Sequence, residues 1–477
     1  MQGSRSRAWL RYGLVFVVAF IGLAGLAGEH LTRPSKDNHF VRLAVGWTEG
    51  RMALTGKPPG WCSARDRAQK RCRGHRFDDY AVLYDLTLPD GEVVRGFACR
   101  THACAQARRQ GEETWWVVGQ GWRNFARREI QRGADTWWIT FPPGPAVILL
   151  PVVALFGLST WDVLLTCLAG ALVPLVLVQI LDRERGTDDG RGRQHLWIAA
   201  AWTFASPACW LASHGRVWFT AQIFGALCLV LYLSCALGER RPTWAGLWLG
   251  LAVACRPINM LPAVVVFGLE WWRHGRKPGV AVRFLVPWVV IGLSLAAYNW
   301  VRFENPLEFG HRFLEIRWQA RMQEIGMFSP EYLPRNLQCL LWLAPQVGAE
   351  APYMRVSIHG MALWMSSPWV LGILAARQRM PQRWGLGLAI VGGALPSLLY
   401  HNSGQLQPVY RFAADWLPMV LLLVGLGGGA RRRWFAPLVV VAMLVNVHAA
   451  WTFGRKPGHL FVVDPMGWPF EEEFERR

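Results

Sequence analysis

Charged residues are scarce in this sequence. Asp, Glu, Lys and Arg make up 17% of its 477 residues, whereas 52% are hydrophobic and 28 are tryptophan. A soluble protein of this length carries about a quarter charged residues, so the composition argues against a soluble fold. The net charge of +19 could suggest nucleic acid. However, no basic stretch is free of an adjoining apolar segment, and we therefore expect no nucleic-acid partner.

Two further features are missing. The chain shows no internal repeat of two related halves, which a transporter usually has. It also has no Asp-x-Asp run that could hold a metal with a nucleotide diphosphate. The acidic pair Asp188-Asp189 lies in a charged turn and is typical of a solvated linker. We therefore expect neither a metal ion nor another cofactor in any chemistry that the chain performs.

Apolar residues are instead concentrated in runs of roughly 17–23 residues, the length that a helix needs to cross hydrocarbon. The sequence predicts about eleven spans: 9–28, 160–181, 195–212, 217–237, 243–255, 258–272, 280–299, 356–376, 385–400, 412–429 and 435–453. The short spans 243–255 and 258–272 meet at Arg256-Pro257 and predict a helical hairpin, with one kinked helix as the alternative. The first run could be a cleavable signal peptide, although an uncleaved helix is favoured.

Basic clusters fix the predicted topology. With a cytoplasmic N-terminus, the positive-inside rule places all of them on one side; they are Arg5/Arg7/Arg11, Arg183/Arg185/Arg191/Arg193, Arg240/Arg241, Arg273/Arg276/Lys277, Arg377/Arg379/Arg383 and Arg431/Arg432/Arg433. Large hydrophilic regions then lie on the outer face of a bacterial inner membrane. The predicted divisions are a first helix (1–28), an external loop (29–159), a bundle (160–300), a second external loop (301–355), a C-terminal bundle (356–453) and an external tail (454–477).

The first external loop contains four cysteines, Cys62, Cys72, Cys99 and Cys104. An exported segment of this kind favours two disulfides of undetermined connectivity. The alternative is a metal site formed by Cys99, His102 and Cys104 with Cys62 or His75. Residues 80–88 and 93–97 flank Pro-Asp-Gly-Glu and predict a β-hairpin. The predicted fold class is therefore an all-α polytopic membrane protein with a small disulfide-bonded external α+β loop domain.

A short helix is predicted directly after the first span. Phe40, Leu43, Ala44 and Trp47 follow helical spacing, which indicates an amphipathic helix on the outer membrane surface. Asp37 lies at its start. A carboxylate is favoured there simply as a helix cap, but it could also serve as a general base at the boundary between water and lipid.

A proline-rich segment precedes another short apolar run. Pro142-Pro143-Gly144-Pro145 introduces residues 146–157, which are too few to cross the bilayer comfortably and predict a helix that enters only the outer leaflet. An acidic residue after the first helix, a surface helix, a proline pair and an apolar run ending in Phe-Gly together resemble the opening of GT-C glycosyltransferases. The resemblance is greatest to the branch of protein O-mannosyltransferases and lipid A aminoarabinose transferases.

Later segments extend this resemblance over most of the chain. Residues 245–257, 298–312 and 407–418 are similar to a Gly/Leu-rich helix ending in a basic residue and to two segments common among bacterial members. The sequence departs from the pattern at Asn38, where many members carry a second acidic residue. Its first loop is also enlarged by the cysteine-containing insert.

The resemblance implies an inverting transferase that moves a sugar from a polyprenyl-phosphate donor to a protein, lipid or glycan acceptor. Asp37 would deprotonate the acceptor hydroxyl, with His39 either helping or merely lying on the surface helix. The expected donor-phosphate ligands are Arg256, Arg312 and Arg411; His311, Tyr410 and Asp415 would contact the acceptor or support the site. Two alternatives stay open: Arg411 could pair with Asp415 one helical turn on, purely for structure, and His311 and Arg312 could equally be residues of the loop surface.

Two other functional classes share these features. A flippase or transporter of lipid-linked sugars would also place arginines among its helices. A polymerase or ligase of surface polysaccharide would likewise combine many spans with a large outer loop. The sizeable external region favours the transferase, because a transferase must build an acceptor site there.

Overall fold

The structure is a computed structural model that describes residues 2–59, 79–316, 318–377, 380–454 and 461–464. The chain forms two compact units. The first contains residues 1–38, 158–291 and 330–477, and the second contains residues 39–157 and 292–329.

Helices dominate the described residues. In chain order the α-helices are α1 Gln2–Ala27, α2 His39–Thr48, α3 His102–Arg109, α4 Gly144–Phe156, α5 Asp162–Arg185, α6 Arg191–Thr203, α7 Pro207–His214, α8 Val217–Ala236, α9 Pro242–Cys255, α10 Pro257–Met260, α11 Val264–Arg273, α12 Pro278–Phe303, α13 Gln319–Glu324, α14 Leu333–Leu341, α15 Leu363–Ser366, α16 Arg383–Leu399, α17 Leu417–Leu426 and α18 Phe435–Thr452. The strands are β1 Tyr80–Thr87, β2 Val93–Ala98, β3 Glu112–Val117, β4 Gly121–Ala126, β5 Gln131–Ile139, β6 Gln346–Val347, β7 Met354–Ser357 and β8 Phe461–Asp464.

Five helices in the described part of the chain are long and apolar enough to cross a membrane. They are Ala8–Thr32, Asp162–Arg185, Val217–Ala236, Pro278–Phe303 and Phe435–Thr452. The pair α6 and α7, bent by 55° between them, would make a sixth. Four further apolar helices are shorter: Gly144–Ser159, Pro242–Cys255, Arg383–Leu399 and Leu417–Leu426. The structure therefore supports five or six spans, and the expected total of about eleven stays a prediction.

The predicted span 356–376 is wrong as a continuous helix. The structure forms strand β7, the single turn α15 and a 3-10 helix, Pro368–Ala375, over this region. Gly360 adopts a left-handed φ of +80°, and Pro368 begins a new helix, so no helical hydrogen-bond ladder runs through. Only part of the apolar run is covered by protein: Val356 and Ala362 are fully buried, whereas Leu371 and Leu374 are exposed.

The hairpin predicted around Arg256-Pro257 agrees with the structure. Helix α9 ends at Cys255, and the chain resumes as α10, a 3-10 turn and α11. Glu270 near the end of α11 accepts a hydrogen bond from the backbone N–H of Gly238, just before α9 begins (3.0 Å). The chain therefore leaves from and returns to the same end of the unit.

Basic clusters that are distant in sequence meet at the C-terminal end of α5. Arg11 pairs with Asp182 (3.0 Å) and Arg240 with Glu184 (3.4 Å). Arg185 donates to the backbone carbonyl of Leu426 at the end of α17. Three of the basic clusters thus meet at one end of the first unit, as expected if that end faces the cytoplasm.

The second unit contains a five-stranded sheet in the order β4-β3-β2-β1-β5, antiparallel throughout. The predicted β-hairpin is confirmed as β1 and β2, with Tyr84 opposite Gly96. The sheet buries Phe97, Trp115 and Trp137 almost completely, and aromatic side chains of this size contribute most of the apolar burial in a small domain. The proline-initiated helix is confirmed as α4, with Leu155 and Phe156 exposed.

Candidate functional site

Asp37 lies in a turn whose position is fixed from α5. The first residue of that helix, Asp162, is 3% exposed, and its carboxylate accepts hydrogen bonds from the backbone N–H of Ser35 (2.7 Å) and from the Ser35 hydroxyl. One turn further along α5, the hydroxyl of Thr166 lies 3.0 Å from that of Thr220 on α8. The turn that contains Asp37 is therefore bonded to the start of α5, and α5 is in turn bonded to the start of α8.

The Asp37 carboxylate faces Arg216, with 3.6 Å between Asp37 Oδ2 and Arg216 Nε. Helix α2 begins at His39, so the capping position belongs to Asn38 rather than to Asp37. Burial raises the pKa of the Asp37 carboxyl above its ordinary value, and the nearby charges of Arg216 and Lys36 oppose this increase. A carboxylate with a raised pKa accepts a proton more readily, which suits a general base.

Arg216 is the residue that the sequence-based reasoning missed. It precedes α8, and Gly215 before it adopts a left-handed φ of +53°. A Cβ at Gly215 would lie 2.8 Å from Val163 Cα, so only glycine allows this close approach to α5. A sequence signal was present, because Arg216 lies in a short predicted outer connection where the positive-inside rule leaves few basic residues.

The first turns of α8 connect the charged groups. Phe219 and Gln222 are three residues apart, occupy neighbouring positions on one side of the helix, and both contact Arg411. The ring of Phe219 lies 5.7 Å from the guanidinium of Arg411. Gln222 donates to the backbone carbonyl of the same residue (2.9 Å).

Arg256 contacts α8 further along the helix, at Gly225. A Cβ at Gly225 would lie 3.2 Å from Arg256 Cγ, so the absence of a side chain at this glycine admits the arginine. Nine residues separate Gly225 from Arg216, which corresponds to about 13 Å along a helix. Arg256 therefore lies deeper along α8 than the contact with Asp37.

Arg411 begins the 3-10 helix Arg411–Asp415 and is 8% exposed. Its Nε donates to the carbonyl of Gly404 (3.1 Å), and its guanidinium lies 5.9 Å from the ring of Trp218 and 5.1 Å from that of Phe412. Gly404 has a φ of +97°, and a Cβ there would lie 3.1 Å from Arg411 Nε. Glycine at position 404 therefore leaves the space that the Arg411 guanidinium occupies.

The alternative pairing of Arg411 with Asp415 is wrong. Asp415 is fully buried and accepts two-pronged hydrogen bonds from Arg256, with 2.7 Å to Nη2 and 3.2 Å to Nε. Residues four apart align on an α-helix, but in a 3-10 helix of three residues per turn they point in different directions. Arg256 therefore meets a carboxylate 159 residues away in sequence.

Tyr410 is 1% exposed and lies edge-on to Phe412, with ring centroids 6.1 Å apart. The Phe412 ring also lies 5.9 Å from the guanidinium of Arg256. Three of the predicted site residues, Arg256, Tyr410 and Arg411, thus lie around the ring of Phe412 in the first unit, the unit that also holds Asp37 and Asp415.

His39 belongs to the second unit. It is 5% exposed, stacks on Tyr80 (4.5 Å between ring centroids) and directs Nε2 towards Asp79 Oδ2 (3.6 Å). Its edge also faces Phe141 (6.2 Å). These contacts join α2 to the start of β1, and the helper role of His39 stays a prediction.

His311 and Arg312 also belong to the second unit. Arg312 lies 4.1 Å over the ring of Trp116 and 3.5 Å from Glu308 Oε2, and its side chain is 42% exposed. The His311 ring lies 6.4 Å from that of Phe141. Both residues are held within this unit, and the role of Arg312 in phosphate binding stays a prediction.

The cysteines are described in part. Cys99 and Cys104 form a disulfide at the start of α3, where Thr101 accepts a hydrogen bond from the N–H of Cys104. Cys62 and Cys72 lie outside the described residues, as does His75 of the alternative metal site. Within the described ranges, no group of three or more His, Cys, Asp or Glu side chains is arranged to hold a metal ion.

Comparison with known proteins gives one distant likeness. No protein-family model matches the sequence, and no curated protein matches it. The crystal structure of the Archaeoglobus fulgidus oligosaccharyltransferase in the apo form is similar at a TM-score of 0.41 and 13% sequence identity. The match covers 92% of this chain and 55% of that one, so the present chain spans little more than half the length of that protein.

Proposed function

We propose that this protein is a membrane glycosyltransferase that moves a sugar from a polyprenyl-phosphate donor to an acceptor hydroxyl, with inversion at the anomeric carbon. The observation that carries the proposal is the meeting of Asp37 with Arg216 at the start of α8, one helical turn from the aromatic pocket of Arg411. A base and a cation thereby contact residues three positions apart at the start of α8.

The reaction is a single displacement. The acceptor oxygen attacks the anomeric carbon, its proton passes to the Asp37 carboxylate, and the bond between the anomeric carbon and the phosphate oxygen breaks. The polyprenyl phosphate leaves with the bonding electron pair. Attack opposite the leaving group inverts the anomeric configuration. Burial of Asp37 favours proton uptake, because the pKa of its carboxyl is raised.

Arg411 and Arg216 are assigned to the donor phosphate. Guanidinium groups match phosphate oxygens through paired hydrogen bonds, and they stabilise the negative charge that develops on the leaving group. An arginine at membrane depth is a functional candidate by default, because burying its charge is costly. The phosphate of a lipid-linked donor lies at the membrane interface, where the outer end of α8 would meet it.

Arg256 is assigned a positioning role within this proposal. Its guanidinium already binds the buried carboxylate of Asp415 through both Nε and Nη2, and Asp415 closes the 3-10 helix that Arg411 begins. Arg256 thereby fixes the segment carrying Arg411. A donor phosphate would have to compete with Asp415 for Arg256, whereas Arg411 lies among aromatic rings and the carbonyl of Gly404.

The finer assignments belong to the same proposal. The acceptor site faces the outer side of a bacterial inner membrane. The branch of protein O-mannosyltransferases and aminoarabinose transferases is the one that the sequence motifs favour.

The test is sugar transfer in membranes supplied with labelled polyprenyl-phosphate sugars. We expect Asp37→Asn to reduce transfer by roughly 100-fold or more, the contribution typical of a positioned general base. Asp189→Asn is the matched control. Asp189 lies in the turn after α5, and asparagine tolerates its left-handed φ of +54°. That variant should transfer normally.

Three outcomes decide the proposal. Loss of transfer in Asp37→Asn at normal expression, with an inverted product by NMR, supports it. Full transfer in Asp37→Asn contradicts the assigned base. Movement of labelled lipid across the bilayer without transfer to any acceptor identifies a flippase instead.

A further inference from the structure

An open groove lies at the end of the first unit opposite to Asp37. It has a volume of about 400 Å³ and is lined by Leu371, Leu374, Ala375 and Arg377 from one segment and by Arg432, Trp434 and Leu438 from another. Arg185 at the C-terminal end of α5 donates to the carbonyl of Leu426, which places this region at that end of the helix. The 24 residues of α5 span about 36 Å, so the groove is remote from the proposed reaction.

Two glycines bring the walls of the groove together. A Cβ at Gly429 would lie 2.3 Å from the backbone oxygen of Gly372, and one at Gly427 would lie 2.6 Å from Ala376 Cβ. Only glycine at positions 427 and 429 lets the two segments approach so closely. The approach aligns the segment that ends at Arg377 with the one that continues into Arg432.

The lining combines two cations with exposed apolar surface. Arg377 and Arg432 are both exposed, and neither makes an ion pair within the described ranges. Leu374 is 72% exposed, Leu371 41% and Trp434 39%. The positive-inside rule explains basic residues at this end. It does not explain why two arginines from different segments share one leucine-lined groove.

We propose that this groove binds an anionic diacyl phospholipid of the leaflet opposite Asp37. Arg377 and Arg432 hold the headgroup phosphate, since guanidinium groups bind phosphate oxygens in pairs. The leucines accept the beginning of an acyl chain, and Trp434 lies at the headgroup level, where tryptophan is enriched. Basic pockets between helices on the cytoplasmic side are the usual sites for such headgroups. This binding is independent of the proposed transfer reaction.

The test counts lipids retained by the purified full chain in a non-ionic detergent by native mass spectrometry. Phosphatidylglycerol is compared with phosphatidylcholine of the same acyl chains. We expect wild type to retain phosphatidylglycerol selectively and the double variant R377Q/R432Q to bind it roughly 30-fold more weakly, since each arginine near the surface contributes roughly fivefold. The control is R431Q/R433Q, which removes the same charge from exposed arginines outside the groove lining.

A second variant tests whether the shape of the groove matters for lipid binding separately from the charge of its two arginines. Ala375→Trp fills the groove while leaving both arginines in place, and it should also release the lipid. Equal retention by wild type, R377Q/R432Q and A375W would overturn the proposal, as would equal loss in R431Q/R433Q. Displacement of the lipid by millimolar inorganic phosphate would show a free-phosphate site, and selective retention of a polyprenyl phosphate over phosphatidylglycerol would show a donor-lipid site; either result also overturns it.

Discussion

The two ends of α5 use charge in different ways. At the Arg185 end, basic residues are numerous, and several form exposed pairs with neighbours in sequence, such as Arg191 with Asp189 (3.3 Å). At the Asp162 end, Asp162 is held by Ser35 and Asp37 faces Arg216, and in both pairs the partner is distant in sequence. Abundant surface charge sets orientation in a membrane. Scarce, partly buried charge at the other end is where we expect chemistry.

The largest expected effect is on stability, and it comes from removing one buried charge and comparing the result with the removal of one exposed charge. Asp415→Asn removes the carboxylate that balances Arg256, and a buried pair that loses one partner is destabilised by about 3 kcal/mol or more. Asp189→Asn breaks the exposed pair with Arg191, where Asp189 is 74% exposed, and should cost less than about 1 kcal/mol. Thermal unfolding of both variants in the same detergent measures the difference.

A compensating pair provides the control for Asp415→Asn. Replacing both partners, Arg256→Met with Asp415→Leu, leaves no unpaired charge and should recover most of the stability, as apolar replacements of buried ion pairs often do. Equal unfolding temperatures for Asp415→Asn and Asp189→Asn would show that burial of the Asp415 pair does not matter, and the contrast between the two ends would fail.

Loss of the Arg411 guanidinium should affect donor use. Arg411→Gln removes a charge-assisted contact of roughly 1.5–3 kcal/mol, which corresponds to about a 10- to 100-fold fall in kcat/KM for the lipid-linked donor. Arg411→Lys keeps the charge but loses the forked geometry, so its kcat/KM should lie between the values of wild type and Arg411→Gln. Kinetics at varied donor concentration measure the effect.

Arg431→Gln is the matched control at the opposite end, and we expect it to leave the kinetics unchanged. A purely structural role for Arg411 gives a different result. In that case Arg411→Gln and Arg411→Lys would lower the unfolding temperature together while the KM for the donor stayed constant.

The parts of the fold with strong local signals could be predicted from sequence. The run 160–181 appears as Asp162–Arg185 and the run 435–453 as Phe435–Thr452, because long apolar segments contain enough residues to determine a helix by themselves. The β-hairpin also followed from local turn chemistry at Asp90-Gly91, where the glycine adopts a φ of +82°.

The remaining features depend on contacts between distant segments. Within the run 356–376, Val356 and Ala362 are covered by protein, and composition does not distinguish protein from lipid as the apolar surroundings. The pairing of Arg256 with Asp415 joins residues 159 positions apart, whereas the local rule suggested Arg411. Arg216 was overlooked for a related reason, since its value as a partner of Asp37 arises only when α5 and α8 meet.

The smallest expected effect concerns the pH dependence of transfer. Asp37 can act as a base only when its carboxyl is ionised, so activity should be lost as the pH falls through its pKa. Burial raises that pKa, and the charge of Arg216 opposes the increase. Arg216→Gln removes the opposing charge, so the pKa of Asp37 should rise further and the acidic limb of the pH profile should move to higher pH.

Arg216→Lys distinguishes this electrostatic role from a packing role. Lysine retains a positive charge near Asp37 and should leave the acidic limb close to that of wild type, whereas glutamine should displace it. The measurement is kcat/KM for transfer between acidic and neutral pH at constant ionic strength, because the pair is partly exposed and salt screens it. A shift to lower pH in Arg216→Gln would contradict the sign of the interaction. An unshifted limb with a uniformly lower rate would mean that Arg216 acts on the donor phosphate alone, and that the protonation of Asp37 is governed by its burial.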